Sequence, residues 1–229
     1  MAAPHRSLPV EQFPALAALP GFVHGFVTRV PGIDVRSDKQ EALRRLDAVH
    51  RAVRADFGIG ATPFLTVEQV HGNEVRIVDR VPSADQCFKG CDGLFTNQPQ
   101  ACLGIYVADC CAVYLVDPVR HGIGLVHSGK KGSELDIVGR AIDLMVERFG
   151  SRPEDLTVQL SPCIRPPHYE VDFAAEIVRA CQERGVENIH DSGACTACDL
   201  EQYYSYRVEK GRTGRMLAFL AMAPAAPAT

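Results

Sequence analysis

Residues 103–128 read LGIYVADCCAVYLVDPVRHGIGLVHS and contain three short apolar runs with only a few residues between them. β-Branched and aromatic residues are frequent in these runs, which is typical of strands, and we predict strands at Leu103–Val107, Val113–Val116 and Ile123–Val126. Connections this short favour antiparallel or mixed pairing. The stretch therefore predicts a sheet at the centre of the fold.

The segments on both sides of this stretch add strands and helices. Further strand-like runs occur at Phe22–Thr28, Phe64–Val70, Val75–Val78 and Thr157–Leu160. Apolar residues that recur every three or four positions predict helices at Asp38–Phe57, Ser133–Phe149 and Phe173–Arg184. Ser37 is a candidate N-cap, and the candidate stop signals are Gly58, Gly150 and Gly185. Because the helices precede and follow the strand block, the pattern favours an α+β fold, a mixed or antiparallel β-sheet core flanked by helices.

Length and composition indicate one domain. The chain has 229 residues, of which 46% are hydrophobic, and this is enough for one sizeable core. No linker long enough to separate two domains is evident. We predict a single domain over residues 1–229, with a disordered C-terminal tail from about residue 222, in the segment AMAPAAPAT.

Charge and cysteine usage limit the partners and the location. The formal net charge is -4 and the pI is near 6.1, whereas nucleic acids and anionic membranes attract clustered positive charge. We therefore expect a small-molecule partner, no nucleic acid and no membrane.

The N-terminal MAAPHRSLPVEQFP is broken by prolines and does not resemble a signal peptide. Nine cysteines without framework spacing favour free thiols in a reducing compartment, so we expect a cytoplasmic protein.

Three potential metal ligands end apolar segments. His71 follows QV, Cys110 follows AD, and His127 follows the run ending in Val126. Two imidazoles and a thiolate form a suitable three-ligand zinc site with a fourth position open to water or substrate. The alternative is a pair of ordinary hydrogen-bonded histidines and a buried cysteine that acts as a small hydrophobe.

Asp109 directly precedes the candidate thiol ligand. Neighbouring residues of an extended chain point in different directions, so we favour substrate binding or loop ordering over metal ligation, with turn capping as the alternative. The CTAC segment at 195–198 has metal-binding or redox spacing, but the chain has no second C-x-x-C. A structural or incidental pair is the better interpretation.

A cationic loop, SGKKGS at 128–133, follows His127 and leads into the predicted helix at Ser133. Lys130, Lys131 and the first helical N–H groups would attract an anion such as phosphate, while the glycines allow the backbone to approach it. The alternative is a solvated turn with two surface lysines.

A set of short motifs between about residues 64 and 220 resembles the YfiH-type laccase-domain family, also called multicopper polyphenol oxidases or purine nucleoside phosphorylases. The matching stretches are QVHG at 69–72, CDGLFT at 91–96, VADC at 107–110, VDP at 116–118, VHSG at 126–129, SPCI at 161–164, HYEV at 168–171, CTAC at 195–198, YSYR at 204–207 and GRM at 214–216.

The resemblance implies zinc held by His71, Cys110 and His127, with copper as the older assignment alongside a polyphenol oxidase activity. It implies phosphorolysis of adenosine, inosine and methylthioadenosine to the free base and a ribose 1-phosphate, with adenosine deamination alongside. Asp109 and Arg29 join the candidate site through the family's A-D-C motif and its early T-R segment.

This chain departs from the family pattern at two places near the expected site. Most members carry H-A-G-W-R-G where this chain has HSGKKG, so Lys130 replaces an aromatic residue and Lys131 replaces an arginine. Lysine can hold phosphate as a point charge but lacks the bidentate fork of arginine. The early T-R-x-G-G-V-S segment has become TRVPGID at 28–34.

Three other functions remain open from the sequence. A copper-dependent polyphenol oxidase would use the same ligands, although a trinuclear copper cluster needs many more histidines than the eight scattered here. A metal-free hydrolase would use Cys110 as nucleophile and His127 or His71 as base. A non-catalytic metal-binding or peptidoglycan-editing partner protein is the third.

Overall fold

The computed structural model describes residues 8–223, and this range contains twelve strands and five α-helices. The strands are β1 (Val10–Glu11), β2 (Phe22–Val27), β3 (Phe64–Val67), β4 (Val75–Ile77), β5 (Gln86–Phe88), β6 (Gly93–Thr96), β7 (Cys102–Val107), β8 (Cys111–Asp117), β9 (Gly122–Ser128), β10 (Thr157–Leu160), β11 (Asn188–Asp191) and β12 (Met216–Met222). The helices are α1 (Pro14–Ala17), α2 (Lys39–Asp56), α3 (Lys130–Glu134), α4 (Ile137–Phe149) and α5 (Phe173–Glu183).

The strands form two six-stranded sheets. The order of the first sheet is β1-β2-β12-β7-β3-β5, and the order of the second is β11-β10-β8-β9-β6-β4. Both are mixed, since β3 runs parallel to β5 and β7, β10 runs parallel to β11, and β4 runs parallel to β6, while the other neighbours are antiparallel. The predicted α+β class with a mixed or antiparallel sheet core flanked by helices is confirmed.

The second sheet is covered on both faces, which explains its continuous apolar strands. Along β8, Tyr114 and Val116 point into the core shared with the first sheet, whereas Val113 and Leu115 point into a second core formed with α4 and α5. The Tyr114 hydroxyl donates a hydrogen bond of 2.9 Å to the carbonyl of Gly25, which links the two sheets. The alternation on one strand therefore holds three layers together.

The connection between β7 and β8 crosses from one sheet to the other. Strand β7 ends at Val107 in the first sheet, and β8 begins at Cys111 in the second. In the antiparallel pairing of β8 with β9, Ala112 lies opposite His127. The three crossing residues, 108–110, are therefore held beside the end of β9.

The helices differ from the predicted ones at their ends. Asp38, and not Ser37, caps α2, because its carboxylate accepts hydrogen bonds from the N–H groups of Gln40 and Glu41 at 2.9 and 3.0 Å. The predicted helix from Ser133 to Phe149 is wrong in its first turn. The chain forms the short α3 and then breaks at Asp136, whose φ of 53° is left-handed, before α4 begins.

The strands also differ from the predicted ones. The strand expected to reach Val70 ends at Val67, since Gln69 has a φ of 63° that no strand accommodates. Strands β1, β5, β6, β11 and β12 were not predicted. Strand β12 reads MLAFLAM and lies between β2 and β7, so the expected disordered tail is wrong up to Met222, and residues 224–229 lie outside the described range. Within residues 8–223, no helix combines the length and apolar character needed to cross a membrane.

Candidate metal centre

His71, Cys110 and His127 converge at one point despite their separation in sequence. One nitrogen of each imidazole and the thiol sulfur all lie within 4.8 Å of one another. The two rings meet edge to face with centroids 4.8 Å apart. His127 is buried in β9, Cys110 is half-buried just before β8, and His71 is exposed in the loop after β3. The cluster therefore opens towards solvent on the side of His71.

The loop that carries His71 is held in an unusual backbone conformation. Gln69 and His71 have φ values of 63° and 60°, in the left-handed region that side chains other than glycine rarely adopt. The Gln69 amide compensates by exchanging hydrogen bonds with the backbone of Tyr106 in β7, donating at 2.6 Å and accepting at 3.3 Å. Such backbone strain persists only where the surroundings enforce it, and it is common at functional sites.

One carboxylate, Asp92, joins the two histidines. It is fully buried at the start of β6 and accepts hydrogen bonds from the N–H groups of Val70, His71 and Gly72 at 3.2, 2.9 and 2.8 Å. It also accepts from Nδ1 of His127 at 2.9 Å. Holding the proton on Nδ1 leaves Nε2 of His127 available for a metal. Asp92 belongs to the CDGLFT motif, but the motif alone does not indicate this role.

The turn that carries Cys110 is fastened by its neighbour Asp109. The Asp109 carboxylate accepts hydrogen bonds from the Thr196 hydroxyl at 2.8 Å and from the Arg207 N–H at 2.7 Å, and its carbonyl accepts from Ile164 at 2.8 Å. The φ of Asp109 is 81°. Its oxygens thus bind protein groups and order the loop, while substrate binding, the other role expected from the sequence, stays a prediction. The CTAC segment contributes to this contact through its threonine, while Cys195 and Cys198 lie outside the cluster.

The glycine of the HSG motif is required by close approach. A Cβ on Gly129 would lie 2.6 Å from Sγ of Cys110, a distance at which one of the two atoms must move. Cys111, in contrast, is fully buried on the opposite face of the strand, where its thiol contacts Ser161. Only the first thiol of the CC pair faces the cluster.

Charge coupling makes Cys110 a good ligand. Burial would raise the pKa of the Cys110 thiol, but the charge of His127 and hydrogen bonds from both histidines lower it to about 6. Burial would lower the pKa of His127, but the Cys110 thiolate and Asp92 raise it to about 9. Near neutral pH the pair is a thiolate and an imidazolium, and a metal ion would replace the imidazolium proton.

The donor set fits a transition metal. Two imidazole nitrogens and a thiolate match a three-ligand zinc site with an open position, and they also suit copper. The hydrogen bond from Nδ1 of His127 to Asp92 is the outer support that metal-binding histidines usually have. The geometry therefore supports a metal centre without deciding which metal binds.

A cavity of about 850 Å³ opens beside the cluster. Its aromatic lining residues are Tyr106, Tyr169, Phe173 and Tyr206. Its cationic lining residues are Lys39, Lys130, Lys131, Arg207, Lys210 and Arg215, against the carboxylates of Asp109 and Glu134. This surface suits an anionic ligand that also has a flat aromatic part.

The predicted anion-binding residues are only partly brought together. Lys130 and Lys131 line the cavity, but they form the start of the five-residue helix α3, and Lys130 lies 3.8 Å from a carboxylate oxygen of Glu170. Arg29 lies outside this cavity. Its guanidinium donates to Glu209 at 2.8 Å and to the carbonyl of Tyr203 at 3.0 Å, so it ties two loops together.

Comparisons with known proteins give a consistent result. The model of the family described as "Multi-copper polyphenol oxidoreductase laccase" matches residues 31–181 and 171–223. A purine nucleoside phosphorylase of Deinococcus radiodurans is 30% identical, with 94% of this chain and 93% of that protein covered. The purine nucleoside phosphorylase YlmD of Geobacillus stearothermophilus is 31% identical, with 67% of this chain and 70% of that protein covered.

The fold is shared with solved structures. The crystal structure of YlmD from Geobacillus stearothermophilus has a TM-score of 0.81 with this chain at 24% identity, and the match covers 93% of this chain and 94% of that chain. A hypothetical protein YfiH from Bacillus licheniformis has a TM-score of 0.77 at 22% identity, over 88% of this chain and 92% of that one.

Proposed function

Because this chain belongs to the multi-copper polyphenol oxidoreductase laccase family, among relatives named purine nucleoside phosphorylases, we propose that it is a zinc-dependent purine nucleoside phosphorylase. Its substrates are adenosine, inosine and methylthioadenosine, and it deaminates adenosine as a second activity. The observation that carries the proposal is the His71, Cys110 and His127 cluster at one side of a cationic, aromatic-lined cavity.

The cavity offers separate surfaces for the two parts of a nucleoside. The rings of Tyr169, Phe173 and Tyr206 provide apolar faces on which a purine stacks. The excess of cationic side chains attracts the phosphate. A bound zinc ion would polarise a substrate oxygen or lower the pKa of a water molecule.

In phosphorolysis, a phosphate oxygen donates an electron pair to the anomeric carbon of the ribose. The glycosidic C–N bond breaks, its electron pair stays on the purine nitrogen, and that nitrogen takes a proton. The products are the free base and the sugar 1-phosphate, which is ribose 1-phosphate from adenosine and inosine and methylthioribose 1-phosphate from methylthioadenosine. In deamination, water adds to the purine carbon that bears the amino group, and ammonia leaves to give inosine. Phosphate is consumed only in the first reaction.

A nucleoside panel with and without phosphate tests the proposal. Purified protein with measured zinc content is incubated with each nucleoside, and the products are separated by chromatography. We expect free base and the corresponding sugar 1-phosphate only when phosphate is present, and inosine from adenosine in either case. Product that is independent of phosphate for every nucleoside would refute the phosphorylase assignment.

A pair of cysteine variants tests the role of the metal. Cys110→Ala removes a ligand and should abolish zinc retention and phosphorolysis, whereas Cys111→Ala lies on the other face and should retain zinc. Equal loss of zinc in both variants would show that the effect comes from the fold and not from ligation.

A metal-free Cys–His enzyme is the second candidate, because the thiolate of Cys110 beside His127 is also an activated nucleophile. Removing zinc with a chelator separates the two. Loss of phosphorolysis that zinc restores supports the proposed enzyme, while activity that survives chelation and disappears on alkylation of Cys110 supports the alternative. A phenol substrate assayed after copper loading tests the older oxidase assignment.

A further inference from the structure

Arg215 is the most buried cation in the cavity, and no carboxylate lies within salt-bridge distance of it among residues 8–223. The residue is 8% exposed. Its Nη1 donates at 2.8 Å to the carbonyls of Thr213 and Gly214, which fixes the plane of the guanidinium. Nε and Nη2 have no protein acceptor in the described part of the chain. Neither nitrogen is fully shielded from solvent, so both are accessible from the cavity. Two carbonyls and the ring of Tyr206, whose centroid is 5.8 Å from Cζ, contact this buried charge, but none of them neutralises it, so the arrangement indicates an anionic ligand.

The backbone places Arg215 next to the metal cluster. The following residue, Met216, pairs with Val107 at the end of β7, and the chain then crosses to Cys110. The preceding residue, Gly214, packs closely against Tyr204, since a Cβ there would lie 2.5 Å from the ring. Arg215 therefore reaches the cavity from the same strand ends that carry the thiol ligand.

Lys39 is a second cavity cation that has no acidic partner in the part of the chain that the structure describes. It begins α2 and lines the same cavity, and its ammonium group has one long contact of 3.5 Å with the carbonyl of Glu68. Burial and the nearby positive charge of Arg215 lower the pKa of Lys39. Two cations that repel each other at one wall of a cavity are stabilised by an anion between them.

The other cavity cations are exposed or already paired. Lys130 and Arg207 both contact Glu170, while Lys131 and Lys210 are exposed at the rim. The buried Arg215 and the half-buried Lys39 contact no carboxylate within residues 8–223, whereas the other cavity cations are paired with a carboxylate or exposed to solvent. The lysine loop singled out in the sequence belongs to the second group.

We propose that Arg215 and Lys39 form an oxyanion subsite that holds inorganic phosphate beside the metal cluster. The subsite rests on the proposed function, in which phosphate is a substrate. The free edge of the Arg215 guanidinium donates two parallel hydrogen bonds to phosphate oxygens, and Lys39 adds a point charge. This assignment places the phosphate on the arginine of the GRM motif and not on the lysines of the HSGKKG loop.

Binding of inorganic phosphate to the zinc-loaded protein tests the subsite by isothermal titration calorimetry at constant ionic strength. Arg215→Gln and Lys39→Met should each raise the Kd for phosphate at least about tenfold, since each removes a charged hydrogen-bond donor. Arg179→Gln and Lys89→Met, two exposed cations outside the cavity, are the matched controls and should leave the Kd unchanged. Lys131→Met should raise it by less than about threefold because that side chain is exposed.

Zinc content and thermal unfolding show whether each variant is folded. If Arg215→Gln fails to fold, the half-exposed Lys39→Met decides the question. Wild-type Kd values in both folded variants, or a larger effect from Lys131→Met, would overturn the subsite. Phosphate binding that depends on Arg215 without phosphorolysis by the wild type would refute the proposed function alone. Phosphorolysis with the same KM for phosphate in the wild type and in both variants would refute the subsite alone.

Discussion

The substitution Asp92→Asn isolates the carboxylate that links the two histidines. Asp92 is fully buried, and its two oxygens accept three backbone hydrogen bonds and one from Nδ1 of His127. Asparagine has nearly the same shape but only one acceptor oxygen. Its NH₂ group must then take the place either of Oδ2, facing the N–H groups of Val70 and Gly72, or of Oδ1, facing the His71 N–H and His127. When the NH₂ group faces His127, it favours the His127 tautomer that carries its hydrogen on Nε2. That nitrogen then cannot bind a metal.

The lost hydrogen bonds determine the expected decreases in stability and in zinc affinity. At least one charge-assisted hydrogen bond is lost, which contributes about 1.5–3 kcal/mol to stability. For a chain of this length, a loss of about 2 kcal/mol lowers the Tm by about 4–8 °C. Loss of an outer partner of a metal-binding histidine lowers metal affinity by about 10–100-fold. We therefore expect both effects in Asp92→Asn.

The assay is a competitive zinc titration with a chromophoric chelator, followed by thermal unfolding of the metal-free protein. Asp117→Asn is the matched control. Asp117 is also fully buried, and its Oδ1 accepts from the N–H groups of Val119 and Arg120 at 2.9 and 2.8 Å. Its Oδ2 has no partner within the described residues, so an amide fits there, and Asp117 lies outside the cavity lining.

The two variants should differ in zinc affinity. Asp92→Asn should bind zinc at least about tenfold more weakly than Asp117→Asn. A zinc affinity within twofold of wild type in Asp92→Asn would refute the positioning role. A folded variant with a lower Tm but normal zinc affinity would show that Asp92 only stabilises the loop around His71.

Three further predictions concern the thiol and the core. Gly129→Ala should weaken zinc binding at least about tenfold in the same titration, because its Cβ would meet Sγ of Cys110 at 2.6 Å, and unchanged affinity would contradict the packing. In metal-free protein, alkylation of Cys110 followed by mass spectrometry should rise as pH increases through about 6, since its lowered pKa keeps the thiolate above that pH. Cys198, whose hydrogen bond with Cys195 raises its pKa, should react only at higher pH. If Cys198 reacts at lower pH than Cys110, the pairing of the Cys110 thiolate with the His127 imidazolium is refuted. Tyr114→Phe should cost about 1 kcal/mol in chemical denaturation without changing zinc affinity, since it removes one buried hydrogen bond between the sheets.

Local sequence patterns were sufficient for the fold class and for selecting three candidate ligands that lie together in the structure. Apolar runs ending in His71, Cys110 and His127 marked where strands meet the loops, and the side chains do meet there. Periodicity found α2 and α5 because each buries one stripe of apolar residues on the sheets. The metal, the substrates, the single-domain organisation and the cytoplasmic location stay predictions.

Elements whose character depends on distant partners could not be read from the sequence. Apart from Phe219, strand β12 consists of Met, Leu and Ala, which have no strong strand preference, and it is a strand because β2 and β7 flank it. The helix expected from Ser133 breaks at Asp136, where Arg184 from the end of α5 binds the carboxylate. Both outcomes are set by contacts between residues far apart in the chain.

The amino-acid sequence by itself determined which groups could bind a metal, because imidazole and thiolate chemistry belongs to single side chains. Only the tertiary structure decided which buried charges support that site. Asp92 and Arg215 lie in the short CDGLFT and GRM motifs, but the role of Asp92 follows from its burial beside His127, and the proposed role of Arg215 follows from its burial without a carboxylate partner among the described residues. Burial and pairing are properties of the folded chain, since the electrostatic cost of a charge depends on what surrounds it in space.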